Sequence, residues 1–205
     1  MDYTTLAASQ VVKETIGSLG KRHIEVLSVE NGAQALDKIK ELIPTGASVM
    51  NGSSRTLEQI GFVDYLKAGT HGWNNLHEGI LAEKDSAKQA LLRKQAVLSD
   101  YYLGSVHGLA QTGEFVIASN TGSQLPHIVF TSPNLIFVVS TKKIVPTLAD
   151  AMARLQEHVI PLEEKHMQEL YGVHTAPNKV LIFQGENPML ERKVRVILVN
   201  EDLGF

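Results

Sequence analysis

The spacing of apolar positions changes period several times along the chain, and each change predicts an element. Ala8, Val12, Ile16 and Leu19 share one face at helical spacing, and Gly20 offers a natural stop for that helix. Residues 23–29 are β-rich. Asn31, with Gln34 three places on, opens a second helix close to the capping-box pattern, with Leu36, Ile39 and Ile43 as its buried stripe. Residues 47–50 are apolar but too few for a helix, so they predict a buried strand. Residues 84–98 predict a surface helix with Ala87, Ala90, Leu91, Val97 and Leu98 turned inward and Lys84, Lys88 and Arg93 turned out.

Beyond residue 100 the pattern favours strands. Residues 115–119 and 124–130 flank Asn120-Thr121-Gly122-Ser123, turn chemistry that suits a β-hairpin near 115–130. Residues 135–140 are apolar on both faces and predict a central strand. Thr147 with Asp150 marks another helix start, carrying Leu148, Met152, Leu155 and Val159. Pro161 is expected to break it, with a second helix running to Gly172. Residues 180–183 and 194–199 form closing strands around a turn-rich 185–188 segment. Alternating helices and strands define the α/β class, and no repeat, low-complexity tract or linker divides residues 1–205 into more than one domain.

Composition narrows the function classes. A chain of 205 residues is long enough to bury roughly 70% of its unfolded surface without staples. The net charge of −3 gives no electrostatic case for nucleic acid. Cysteine is absent, so disulfides, thiolate nucleophiles and a thiolate-held iron–sulfur cluster are excluded, and zinc would need His and carboxylate ligands alone. The first residues lack a signal peptide's basic region and apolar core. The longest aliphatic or aromatic run, residues 135–139, falls far short of the roughly 20 residues that span a bilayer. The expectation is a cytoplasmic protein with no membrane partner and no cofactor.

The most informative stretch is residues 49–61, in which a buried strand runs through Gly52-Ser53-Ser54 into a helix. The first amides of a helix have no internal acceptor and lie at the positive end of its dipole. Gly52 permits close backbone approach, and Ser53, Ser54 and Thr56 add hydroxyl donors. Such a turn, at a strand's carboxyl end, suits phosphate or carboxylate. A serine there also simply caps the helix, and the residues leave both readings open. The Walker ending is absent.

Other candidates are weaker. His71 and His77 lie six apart, which does not place them on one helical face, and joining them with His107 and His127 into a metal site would need the fold. Ordinary surface or capping roles compete, and no metal is expected. Residues 106–113 are small and polar, so Thr112 and Gly113 can approach a ligand or simply turn the chain. Glu114, His107 and His127 are the acid–base or nucleophile candidates, and a solvated Glu114 is the plainer reading. Lys142 and Lys143, after the central strand, can complement an anion, and a solvated pair is the plainer reading.

In their order along the chain, Gly52-Ser53-Ser54-Arg55-Thr56-Leu57-Glu58-Gln59-Ile60-Gly61, Gly113-Glu114-Phe115-Val116, Gly122-Ser123-Gln124, Ser132-Pro133 and Lys143-Ile144-Val145-Pro146-Thr147-Leu148 resemble the LUD-domain family, related to the lactate-utilisation protein C group. The resemblance covers roughly residues 10 to 165. It implies a three-layer α/β/α sandwich with a mixed, mostly parallel sheet, like glucosamine-phosphate deaminase, ribose-phosphate isomerase and the CoA transferases. In those enzymes a Gly/Ser turn after a strand holds phosphate or a CoA-like group, which favours Gly52, Ser53, Ser54 and Thr56 as an anion site with Lys143 secondary. It further implies a role beside iron–sulfur oxidoreductase subunits in lactate oxidation. The chain departs from the family pattern at His107, where small relatives carry Asn, and at Gln111, where they carry an acid. Covalent CoA transfer would therefore lack its glutamate. The leading expectation is a binder of an anionic small molecule; the rivals are a transferase or isomerase on a CoA ester or sugar phosphate, and a non-catalytic partner-binding subunit. A homodimer is the default assembly.

Overall fold

The computed structural model describes residues Met1–Phe205. Its first half runs α1 (Ser9–Gly20), β1 (Glu25–Val29), α2 (Gly32–Leu42), β2 (Ser48–Asn51), α3 (Arg55–Gln59), α4 (Phe62–Lys67), β3 (Asn74–Asn75), α5 (Leu76–Ala82) and α6 (Ser86–Gln95). The second runs β4 (Tyr101–Gly104), β5 (Gly108–Ala110), β6 (Phe115–Ser119), β7 (Asn134–Ser140), β8 (Ile144–Val145), α7 (Leu148–Arg154), α8 (Ile160–Tyr171), β9 (Lys179–Phe183) and β10 (Lys193–Val199). Six strands form one sheet in the order β1-β10-β7-β4-β2-β3, every neighbouring pair parallel. The other four form a small mixed sheet, β8-β5-β6-β9.

Strand β7 shows how the layers arise. Ile136 and Val138 point to one side, into a core shared with Ala35 and Ile39 of α2, Leu57 of α3 and Phe62 of α4. Leu135, Phe137 and Val139 point to the other, where Leu19 of α1 and Phe115, Ile117 and Phe183 of the small sheet meet them. A strand buried on both faces reads as a continuous apolar run, and residues 135–140 do. The far face of the small sheet packs Val116 and Val145 against Ala151, Leu155 and Val159 on the α7 side. Helices α2, α3 and α4 thus cover one face of the parallel sheet, α1 and the small sheet cover the other with α7 outside the small sheet, and the mixture of strand directions belongs to the second sheet. No helix is long and apolar enough to cross a membrane.

Capping follows the sequence closely. Asn31 accepts the amide of Gln34 at 3.0 Å, while the Gln34 side chain reaches back to Glu30 N–H at 2.9 Å, one residue further than a capping box requires. Thr147 and Asp150 form the full box. Helix α1 ends at Gly20 as its sequence suggests, but Gly20 is not the left-handed residue that closes it. The left-handed residue is His23 (φ 61°), and Ile24 N–H closes the end on Leu19 O at 3.2 Å.

Three expectations are corrected. Residues 124–130 are not the second arm of a hairpin. Pro126 brings no N–H to a ladder and adopts a helical φ of −56°, and residues 127–131 wind into a π-helical turn. The hairpin is β5–β6, turned by Gly113 at φ +97°, and the other neighbour of β6 is β9. Pro161 does not break the α7 helix. A π-turn over residues 155–159 leads directly into α8, and this locally widened turn accommodates a proline that has no N–H to donate. Helix α6 buries nothing: Leu91 is 54% exposed and Leu98, just beyond, 73%. Its apolar stripe has no partner layer, because the sheet's edge here is the two-residue β3.

Candidate functional site

Strands β2, β4 and β7 are neighbours and parallel, so their carboxyl ends emerge side by side. The chain leaving β2 supplies Gly52–Thr56, that leaving β4 supplies Ser105–His107, and that leaving β7 supplies Lys143. These three segments form one wall of a cleft of about 380 Å³. Open α/β sheets place ligands in this position, outside the strands' carboxyl ends. Facing it are the π-turn and α8, the 118–124 loop and residues 175–177.

At the end of β2 the capping and anion readings turn out to be compatible. Ser54 is the N-cap of α3, and its Oγ accepts Leu57 N–H at 3.3 Å. The amides of Ser53, Ser54, Arg55 and Thr56 donate to no group of the protein, and all four residues line the cleft. Arg55 adds a guanidinium at the rim, paired with Glu58 at 2.8 Å. Gly52 has a different reason from the one its sequence suggests. A Cβ there would lie 2.5 Å from the Tyr102 hydroxyl, so the glycine makes room for a buried tyrosine.

Lys143 lies on the floor of the cleft, only 4% exposed. Its Nζ donates to Thr56 Oγ1 and Ser105 Oγ, each at 3.1 Å, and to Val106 O at 3.2 Å. All three acceptors are neutral, and no carboxylate pairs with it. Burial, with Arg154 and Lys142 nearby, pushes its pKa well below the ordinary lysine value. Lys142 turns the other way and has a counterion, Asp202. His107 Nδ1 accepts Ala118 N–H at 3.0 Å, which leaves the proton of the neutral ring on Nε2, a donor with no partner in the protein. Burial, then the charges of Lys143 and Arg154, depress its pKa to about 3, so the ring stays neutral.

The opposite wall went unrecognised in the sequence. Ile160, Glu163, Met167 and Tyr171 lie three or four residues apart on one face of α8, together with His166. The spacing was legible, but a face mixing acid, histidine and apolar groups resembles neither a core stripe nor a motif. Glu163 has no hydrogen-bond or ionic partner, and burial raises its pKa. Met167, Tyr171, Leu155 and Val159 give this wall an apolar body.

Several candidates lie elsewhere. Thr112, Gly113 and Glu114 form the β5–β6 turn, which Arg22 clamps by donating to Thr112 O and pairing with Glu114. Burial alone would raise the Glu114 pKa, but hydrogen bonds from Thr112 and its own amide, with the Arg22 charge, hold it below the usual range. Gln111 binds Glu14, so an acid at that position would not face this cleft either. His127 is buried between Ser99 and Ser132 and stacks on Tyr102, with centroids 4.5 Å apart. His71 accepts Trp73 N–H at 3.0 Å, and nowhere do three or more His, Asp or Glu side chains come together as a metal site.

Fold and cleft together define an α/β protein with a donor-lined crevice at the carboxyl end of a parallel sheet. Residues 12–185 match the family model of the LUD domain, and the chain belongs to that family. Its fold is similar to the crystal structure of a DUF162 family protein from Deinococcus radiodurans, with a TM-score of 0.59 at 12% identity over 96% of this chain and 100% of the other. No curated protein matches the chain.

Proposed function

We propose that the protein binds an organic anion in this cleft, its phosphate or carboxylate held by the amides of Ser53–Thr56 and the Nε2–H of His107, with Lys143 beside them. The observation that carries the reading is the convergence of donors without acceptors: four backbone amides, one neutral imidazole and a buried lysine that no carboxylate pairs. Ser53 is exposed and Ser54, Arg55 and His107 are half-buried, so solvent reaches these donors in the empty cleft, and an anion seated there exchanges bonds to water for charge-assisted ones. The cleft, at about 380 Å³, falls in the range of sites for drug-sized ligands. The apolar α8 wall fits a ligand with an apolar segment behind its anionic end.

The name of the family suggests lactate metabolism, and we extend the reading to a carboxylate of that metabolism, handled beside an iron–sulfur oxidoreductase. A chain without cysteine holds no thiolate cluster of its own, so the electron-transfer step of such a system falls to that partner. The test is calorimetry with inorganic phosphate, L-lactate, pyruvate and CoA. At least one is expected to bind, and Lys143→Met to weaken it at least tenfold. Binding of every active ligand with unchanged affinity to Lys143→Met would remove the site from this cleft.

A further inference from the structure

Lys143 is unusual beyond its burial. Adjacent Lys142 leaves the same turn after β7 with a carboxylate partner and a peptide carbonyl, Gly204 O, at 2.8 Å. Lys143 meets only two hydroxyls and one peptide carbonyl, with the guanidinium of Arg154 and the Lys142 ammonium on the protein side. An ammonium without a counterion in such surroundings gives up its proton, because desolvation and like charge both disfavour the cation. The neutral amine has two protons for its three partners, so one hydroxyl, of Thr56 or Ser105, donates to the lone pair and turns away when Nζ acts as a carbonyl nucleophile, a role that desolvated lysines take. Gly204 packs its backbone against the Thr56–Lys143 hydrogen bond, where a Cβ would stand 2.3 Å from Thr56 Oγ1 and 2.7 Å from Nζ, so any larger residue would push the amine out of place.

We propose that the Lys143 amine forms an imine with the carbonyl carbon of a 2-oxo acid bearing an apolar tail. This rests on the anion-binding reading of the same cleft and narrows it. Three parts of the wall match three parts of such a molecule. The carboxylate takes the Ser53–Thr56 amides, the adjacent carbonyl carbon comes to Nζ, and the tail lies against Leu155, Val159, Met167 and Tyr171. The lone pair of Nζ adds to the carbonyl carbon, and the carbonyl oxygen collects a proton as the nitrogen gives one up. The carbinolamine C–O bond then breaks as the nitrogen lone pair forms the C=N bond, and the hydroxyl leaves as water with the second proton that nitrogen gives up, so amine and ketone become imine plus water with no change of oxidation state. The Nε2–H of His107 lines the same space and can donate to the carbonyl oxygen as charge develops there.

The test uses the full chain with phenylpyruvate, and separately pyruvate, in the presence of sodium cyanoborohydride. The hydride reduces any imine to a stable secondary amine that peptide mass mapping can place. The expected result is a single adduct on Lys143, faster with phenylpyruvate than with pyruvate, and absent from Lys143→Arg and Lys143→Met. Whether or not Lys143→Met folds, the distribution of label in the wild type decides independently. Label spread over exposed lysines, with none enriched at 143, overturns the proposal. Inorganic phosphate separates the two readings by thermal shift. If phosphate stabilises the wild type while neither oxo acid labels Lys143, the anion site stands and the imine falls; if phosphate also fails, both fall.

Discussion

Two adjacent lysines leave β7 in opposite senses, and their surroundings set their chemistry. Lys142 and Lys143 are indistinguishable in the sequence, where a solvated pair was the plain reading for both. Folding buries both and gives a carboxylate to one alone. His107 was likewise legible as a candidate, but its tautomer depends on Ala118, which reaches it only through the β5–β6 pairing. His107 also makes stability pH-dependent. Its folded-state pKa, about 3, lies below the ordinary 6.5, so the unfolded chain binds the proton more readily. Its stabilising contribution is therefore complete above about pH 6.5 and is lost as pH falls from there toward 3. His107→Asn, whose Oδ1 can still accept Ala118 N–H, is expected to flatten the decline in unfolding free energy over that window. Urea titrations at a series of pH values measure it, and an unchanged slope would mean that the ring already protonates freely.

Among the elements, those with local signatures were readable. The caps at Asn31 and Thr147, the buried strand β2 and the doubly buried β7 follow from spacing and from residues within a few positions of one another. What failed was any element whose partner had to be known. Residues 124–130 resemble a strand until Pro126 removes a ladder donor, and α6 resembles a packed helix until no layer meets it. Helix α3 holds the prediction that belongs at this scale. Arg55 is its first residue, and Ser54 before it is extended (φ −158°, ψ 115°), as a residue preceding proline must be. Arg55→Pro therefore deletes one amide donor while sparing the helix, and Arg55→Ala controls for the lost guanidinium. A hydrogen bond to a charged group contributes about 1.5–3 kcal/mol, so Pro is expected to bind the anion roughly tenfold or more weakly than Ala. Equal affinities of the two variants, by calorimetry, would show that this amide touches nothing.

Across the whole molecule, the cleft is a long-range object. Residues 52–56, 105–107, 143 and 160–171 meet because β4 lies between β2 and β7 and because the small sheet carries α8 over their ends. No spacing along the chain encodes that strand order. The sequence therefore pointed to the first wall through Gly52–Thr56 and to its floor through Lys143, and not to Glu163 or His166. Thr112, Gly113 and Glu114 lie as close to His107 in the chain as several cleft residues do, but the β5–β6 turn carries them to Arg22. The account stands on open amides at the end of β2, and a crystal soaked in tungstate tests it most directly, since the metal's anomalous signal locates the tetrahedral oxyanion without ambiguity. The predicted result is a peak whose oxygens lie within hydrogen-bonding distance of the amides of Ser53–Thr56. A tungstate bound elsewhere, with those amides facing only solvent, would contradict it.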